Sequence, residues 1–470
     1  MMPSCDFAPE TLRRLPLAEA VLRLWQWHCD PRTLNELFER HRGACYTQEL
    51  AFATLVHLLG DALLEHDGSG RQSFQRGRAK GELTVTIQAA YQKLGRLPLA
   101  VSENFLSAST RSLLDLLPTP SPSDTGIPDG LRAFEVCLLD GKAVKGIPKR
   151  LLPLRTSSGG VLGGKALVAF HPASGLAPAL ASDPDGDTNE AKLVPDLLPQ
   201  VRARFQRVLG VADAQFGNPQ QAAAFTARQG DHFLVRSDGK SAFTRDTSRS
   251  VRRGQDRQGR CYEEDWGCWG GPRNQQRRYV RRVILSRPGA ASLILLTDLL
   301  EAEQYPADDL LTLYLTRWGI EQVFQQITEV FQLRRLIGTT PQGTLFQLAF
   351  CLLLYNQIQV VRAYVAAGAQ RPCASVSTEL LFADVQRQLI ALHEVLQPEE
   401  VVALLPPLAT AAQLRRRLQE LLHPLWTERW LKAPAKKRTP PHTGSKKREH
   451  KSAYRLIQQY RLAQKNRVQT

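Results

Sequence analysis

Two short apolar runs constrain this chain more than any other feature. "FEVCLLD" (Phe134–Asp140) and "VLGVADAQFGN" (Val208–Asn218) are continuous, short and bounded by turn residues, so each predicts a buried strand with an Asp just past its apolar stretch. Between them, "KALVAF" and "APALA" flank the turn "HPASGL", which predicts a hairpin. "TNEAKLVPDLLPQVRARF" (Thr188–Phe205) has helical periodicity with a Pro that interrupts its first turn. After the second run, "PQQAAAFTARQG" opens with Pro and closes with Gly, as a helix does, and "HFLVRS" is a further strand. The order is strand with Asp140, hairpin, helix, strand with Asp213, helix, strand. An Asp at a strand tip is commonly only a turn or helix cap. In an α/β sheet, however, the carboxyl ends of the strands are where chemistry is placed.

A third carboxylate comes from "YLTRWGIEQVFQQITEVFQL" (Tyr314–Leu333), which predicts one long helix. At about 100° per residue, Tyr314, Arg317 and Glu321 fall within about 60° of one another. Ile320, Val323, Phe324, Ile327, Val330 and Phe331 form a separate face that must go inward. The plain reading of the polar stripe is a solvated Arg–Glu pair worth about 0.3–0.5 kcal/mol. The other reading joins Glu321 to Asp140 and Asp213. Clustered carboxylates repel unless a cation sits among them, and hard oxygen ligands select Mg²⁺ or Mn²⁺. Two such ions about 3.5–4 Å apart suit phosphodiester displacement.

The surroundings are consistent with that chemistry. Residues 1–117 read as a helical N-terminal region for DNA binding or dimerisation, and "TIQAAYQKLGRLPLAVSENFLSA" (Thr86–Ala108) fits either a helix-turn-helix or ordinary helix packing. Pro, Ser, Gly and Asp concentrate in a linker at 118–130. An α/β core follows at 131–236 and resumes at 288–365, with an Arg-rich, β-rich insertion at 237–287 between the two parts. There, Trp266 and Trp269 fit stacking on an unpaired base or packing within strands. Helices continue over 366–431, and a basic tail over 432–470 ends the sequence. From Leu431 onward, twelve Lys or Arg face one acid, Glu449, so the tail is expected to contact phosphates.

The whole chain of 470 residues carries 61 Lys and Arg against 45 Asp and Glu, a net charge of +16. Its isoelectric point near 9.7 makes a polyanion the first partner to consider. Eight cysteines without a repeated spacing indicate neither a disulfide framework nor a zinc ribbon. No long apolar segment opens the sequence, so no signal peptide is expected. The apolar run Leu345–Tyr355 is too short to span a bilayer and predicts a buried core helix. The expectation is an intracellular protein without a membrane partner.

These residues resemble a known family. "YLTRWGIEQVF" is similar to the Y-x-x-R-W-x-I-E-x-x-F of the DDE transposases of bacterial insertion sequences, specifically the insertion-sequence-four type. Its YREK signature runs Y-x-x-R-x-x-x-E-x-x-x-x-x-x-K, and Tyr314, Arg317 and Glu321 match its first three letters. "LLDGK" and "VADAQFGN" resemble the family's first and second Asp regions, and the likeness spans about Phe134 to Asn356. The resemblance implies an RNase H-like catalytic core with a β-rich insertion, and Asp140, Asp213 and Glu321 as catalytic residues holding two Mg²⁺ or Mn²⁺ ions. It implies phosphate contacts from Tyr314 and Arg317, cleavage at the inverted-repeat ends of a transposon, and strand transfer by the freed 3′-OH. Double-stranded DNA, a homodimer in the synaptic complex and a cytoplasmic, nucleoid-associated location in a bacterium follow from it too. One position departs: Thr328 stands where the signature has Lys. From the sequence, either Arg334 or Arg335 substitutes, or end binding is weakened, or the copy is decaying. A catalytically impaired DNA-binding descendant and a host RNase H-like nuclease are the competing readings.

Overall fold

The structure is a computed structural model that describes residues 7–46, 49–118, 126–155, 157, 159–287, 289, 291–433 and 450–468. Most of the expected linker, 119–125, and the most basic part of the tail, 434–449, lie outside the described residues.

The strands of the two apolar runs form, and Asp213 follows its strand as expected, whereas Asp140 lies inside a strand that continues to Lys145 because the next strand goes on pairing with it. Glu135–Lys145 (β1), Val161–His171 (β2) and Leu176–Asp183 (β3) make an antiparallel meander. Val208–Ala212 (β4) then pairs parallel to β1, and His232–Ser237 (β5) pairs parallel to β4. The resulting order β3-β2-β1-β4-β5 has its first three strands antiparallel and the next two parallel to β1. This is a mixed α/β sheet of the RNase H-like kind that the resemblance implies.

The Arg-rich insertion continues this sheet. Phe243–Arg245 (β6), Arg252–Gln255 (β7), Cys261–Trp269 (β8) and Arg278–Leu285 (β9) lead to Leu293–Thr297 (β10), which pairs with both β9 and β5. In sequence, its Arg series from Arg245 to Arg287 is expected to contact phosphates as the tail is, yet part of it is paired with acids. Arg281 is fully buried against Glu264, Arg282 meets Asp265, and Arg257 meets Asp308 and Asp309. The first two pairs hold neighbouring strands together, and the third ties the insertion to the segment that follows it.

Helices cover both faces of the core strands. The helical N-terminal region comprises Phe7–Arg13 (α1), Pro16–His28 (α2), Pro31–His41 (α3), Phe52–Leu64 (α4), Gly70–Ala79 (α5), Ile87–Leu94 (α6) and Leu99–Leu114 (α7). After β1 come the short helix Leu152–Arg155 (α8), then Val194–Arg202 (α9) and Pro219–Phe225 (α10). The Pro-interrupted start of the second predicted helix is a 3-10 turn, Glu190–Leu193, leading into α9. Residues Cys137, Leu139, Ala212 and Phe233 pack with α9 and α10 on one face. Residues Val136, Leu138, Leu209 and Val211 belong to the opposite core, built from α7 and from Trp318–Glu329 and Pro341–Gly368, which are introduced below as α12 and α13.

The predicted helix of Tyr314–Leu333 is broken. Ala307–Thr316 (α11) ends at Arg317, and Trp318–Glu329 (α12) starts after it. Around Arg317 the hydrogen bonds tighten from the α to the 3-10 pattern: Arg317 N–H donates to Tyr314 C=O, and Ile320 N–H to Arg317 C=O. The local turn changes angle there, so Tyr314 goes into the core while Arg317 swings toward the sheet. Pro341–Gly368 (α13) contains the predicted run Leu345–Tyr355 and has the length and composition of a span, yet that apolar window is wholly buried in protein.

α7 runs against α13 and β3, with Val101, Phe105, Leu106 and Leu113 in the core. The helix-turn-helix reading of Thr86–Ala108 therefore fails, because the would-be recognition helix is a core element. Thr378–Val395 (α14), Pro398–Leu404 (α15) and Ala411–Leu422 (α16) extend the helical layer. Beyond the undescribed stretch, Lys451–Ser452 (β11) adds parallel to β2 and Ala453–Val468 (α17) follows, with Arg455 paired to Asp185 and Asp187. The end of the expected tail is thus part of the fold.

One buried amide ties these layers together. Asn356 on α13 accepts a hydrogen bond from Ala177 N–H at 2.8 Å and donates to Ala177 C=O and Thr110 Oγ1, each at 2.9 Å. Ala177 is the second residue of β3, which among the described residues has no strand on its far side, so Asn356 satisfies edge groups that burial would otherwise leave unpaired. Asn356→Ala should cost about 2–4 kcal/mol, read as a lower denaturant midpoint at unchanged m-value. A loss below about 0.5 kcal/mol, the usual range for an inconsequential site, would show the amide is dispensable.

Candidate active site

The parallel pairing of β1 with β4 sets the site. Leu138 lies opposite Val211 and Leu139 opposite Ala212, so the next residues, Asp140 and Asp213, stand side by side at the point where β4 ends while Asp140 stays paired with Val168 of β2. Both follow the period-2 positions that face α12, the side of Leu138 and Val211. β4 stops there, whereas β1 runs on to Lys145 beside β2 alone. Beyond the end of β4, the β1 extension and α12, which pack together, border the two aspartates. Asp213 caps the 3-10 turn Ala214–Phe216, with its Oδ1 accepting from Gln215 N–H at 2.9 Å. The plain role of a cap and a place beside Asp140 are both realised.

Arg317 binds the cluster. Its Nη1 lies 3.4 Å from Asp140 Oδ2, and its Nη2 lies 2.9 Å from Glu321 Oε1. The sequence-predicted Arg–Glu pair thus forms, and its guanidinium reaches across to the first Asp as well. Tyr314 is almost fully buried under this arginine, whose guanidinium carbon is 5.9 Å from the ring centroid. Burial works against the charge of Arg317, but Tyr314, Asp140, Glu321 and Asp213 together hold its pKa above the ordinary value. The Nε atoms of both Arg317 and Arg236 are buried without a hydrogen-bond partner, and Arg236 lies close enough to act on Tyr314.

Two further groups were not foreseen. Glu190, from the turn before α9, rests against the α-carbon of Gly141 on the opposite face of β1. A Cβ at Gly141 would come within 1.8 Å of the Glu190 carboxyl carbon, so no residue with a side chain fits there without moving Glu190. Its carboxylate pairs with Lys165 at 3.3 Å, and burial raises its pKa. Glu190 follows Asn189, the N-cap of that turn, and looks in sequence like any first-turn acid. The second group is Lys142, whose Nζ donates to Thr328 Oγ1 at 3.0 Å and lies 3.4 Å from Phe324 C=O. Thr328 was expected to leave its place on the helix without a cation, yet an ammonium arrives from a strand 186 positions away. Arg335 is turned elsewhere, donating to Asp67 C=O at 2.7 Å.

The tryptophans do not join the site. Trp269 is sealed in the core beside Phe233, and Trp266 is 5% exposed with its Nε1 donating to Leu300 C=O at 3.0 Å. Alternation on β8 sends the two rings to opposite faces, where each is covered. Stacking on an unpaired base is therefore corrected to packing.

Residues 138–357 match the family model described as a transposase DDE domain, a stretch that begins on β1 before Asp140 and ends on α13. The stretch from β1 to α13 is thus similar to a transposase DDE domain. With it comes the enzyme class, a transposase. Among solved structures, a cryo-EM structure of the piggyBac transposase synaptic complex with hairpin DNA is similar at 12% identity. Its TM-score is 0.41, and the alignment covers 86% of this chain and 85% of that one. Comparison with curated proteins returns no match.

Within the transposase DDE domain, the donor set of Asp140, Asp213 and Glu321 is all carboxylate oxygen, the chemistry that divalent metals of the Mg²⁺ kind prefer. The three are not drawn tightly together, because Arg317 stands between Asp140 and Glu321. Among the described residues, the group whose ligating atoms do lie within 4.8 Å of one another is His57, Asp61 and Glu82, far from this site in the helical region.

Burial raises the Asp140 pKa from 3.8 to about 6; Arg317 and the Gly141 N–H pull it down, while Asp213 and Glu190 push it up. The folded protein thus keeps the Asp140 proton through a range in which the unfolded chain has lost it, so stability falls as pH rises through that window. In chelator, Asp140→Asn should gain stability relative to wild type as pH goes from about 4 to about 6 and hold that gain above it. Denaturant titrations at several pH values measure the difference. A difference that stays flat across the window would mean that Asp140 ionises freely.

Proposed function

We propose that this transposase cuts DNA at the inverted-repeat ends of an insertion sequence of the insertion-sequence-four type and joins them to target DNA, with Asp140, Asp213 and Glu321 holding two Mg²⁺ or Mn²⁺ ions. The observation that carries the reading is the β1–β4 register, which brings two aspartates to one strand edge under an arginine that also holds Glu321. Bound there, the ions would stabilise the attacking and leaving oxygens of a phosphodiester displacement.

The chain's own residues bind and orient the strand. Arg317 sets its guanidinium charge beside Asp140 and Glu321, where it attracts a phosphate of the strand. Tyr314, fixed in the core, keeps the Arg317 side chain from folding back over α11. In the first step water attacks phosphorus at the transposon end, its proton passes to solvent, and the strand's 3′ oxygen leaves as a 3′-OH. The second step repeats the displacement with that 3′-OH as nucleophile on a target phosphodiester, and a target 3′ oxygen leaves and is protonated. Two ends must be joined at one target, which favours a homodimer in a bacterial nucleoid, and a net charge of +16 favours its association with DNA.

The test uses full-length protein, Mg²⁺ and labelled duplexes bearing the inverted ends that flank the reading frame. Wild type should release a 3′-OH at the end and later yield joined products. Asp140→Asn, Asp213→Asn and Glu321→Gln should each cut at background rate while retaining duplex binding. A variant that cuts at the wild-type rate would remove its residue from the triad, and equal cutting of unrelated duplexes would point to a nuclease without end specificity.

A further inference from the structure

Lys142 shares the α12-facing side of β1 with Asp140, because the two are separated by one strand period. It is half-buried, and its ammonium has only neutral partners: Thr328 Oγ1, the Phe324 carbonyl and the Phe324 ring at 5.5 Å. Lys165 and Arg281, by contrast, are neutralised at contact distance by Glu190 and Glu264. Asp140 and Glu329 act on Lys142 only through space. Thr328 Oγ1 donates in turn to Phe324 C=O at 2.6 Å, so the hydroxyl is pinned to its own helix and its lone pairs are turned toward the lysine. Thr328 and Glu321 are two turns apart on α12, and the helix is packed against β1. A lysine held along this line, beside the carboxylates and with no acid at contact distance, is arranged to meet an anion that approaches them.

We propose that Lys142 is a DNA-backbone contact of the active site: its ammonium, steered by Thr328, binds a phosphate of the strand next to the one being cut. The positive charge at this place on α12 is thereby supplied from the first strand of the sheet. Thr328 is a positioning residue for that charge, and its lack of charge does not leave the place empty. This rests on the proposed transposase reading for the location of the strand, while the contact itself belongs to any duplex lying against this side of β1 and α12.

The experiment compares wild type, Lys142→Met, Lys142→Arg and the exchange variant Lys142→Thr/Thr328→Lys. Each is titrated with an end duplex and with an unrelated duplex of equal length at several salt concentrations, and each is assayed for cutting. Losing one phosphate contact removes about 0.9 from the log–log salt slope on either duplex. Lys142→Met should show that loss with about three- to tenfold weaker binding at low salt, Lys142→Arg should keep the slope, and the exchange variant should recover it. Thermal melts of all four identify any variant that has lost its fold. Should the exchange variant be among them, Lys142→Arg against Lys142→Met carries the comparison. An unchanged slope in Lys142→Met, with or without a lower Tm, would overturn the proposal and leave Lys142 as a tether for α12. Cutting with an unchanged slope would sink the lysine contact alone. A changed slope in a protein that never cuts would sink the transposase reading alone.

Discussion

Carboxylates placed side by side on β1 and at the end of β4, and partly buried, repel one another and lose hydration; the cost runs to several kcal/mol unless positive charge stays close. Arg317 is where this chain keeps that charge. It sits at a break between two helices, so its backbone belongs to neither α11 nor α12, and its side chain can span from Glu321 to Asp140. The rest of the structure serves this contact. The parallel β1–β4 register delivers the aspartates, and α13 and α7 form the platform on which α12 lies. The raised pKa of Asp140 shows that one arginine leaves burial incompletely offset. That residual strain is what a bound divalent cation would relieve, and it is a common sign of a site kept for chemistry at the expense of stability.

The second theme is charge that comes from far away in sequence. Lys142, Glu190 and Lys165 all gather around the β1 segment that β4 does not cover. The two faces of that segment are used differently. On the α12 side stand Asp140 and Lys142; on the other, Glu190 presses against Gly141 with Lys165 as its partner. Gly141 is required between them because a side chain would occupy the volume of the Glu190 carboxylate. An Ala there would displace Glu190 and, through it, disturb both charged faces of one strand.

The sequence made the core strands and their Asp residues legible because apolar runs ended by turn formers have few other uses. Tyr314, Arg317 and Glu321 were legible as a stripe, but the break at Arg317 was not. No Pro marks it, and a switch from the α to the 3-10 pattern barely alters apolar spacing over one turn. Trp266 and Trp269 misled because a tryptophan near arginines fits both stacking and packing, and only the alternation of β8 and its neighbours decides for packing. The insertion's arginines misled for a related reason: their acidic partners lie across strands, at pairings such as Arg282 opposite Asp265, which composition does not reveal. Lys142 was invisible as a partner of Thr328 because nothing local connects positions 186 apart.

Anomalous diffraction from crystals of the full chain loaded with Mn²⁺ tests the central claim most directly. The account predicts manganese peaks bounded by Asp140, Asp213 and Glu321, with the Arg317 guanidinium displaced from between Asp140 and Glu321. Manganese found only at His57, Asp61 and Glu82, or Arg317 still bridging both carboxylates in a metal-loaded crystal, would contradict it.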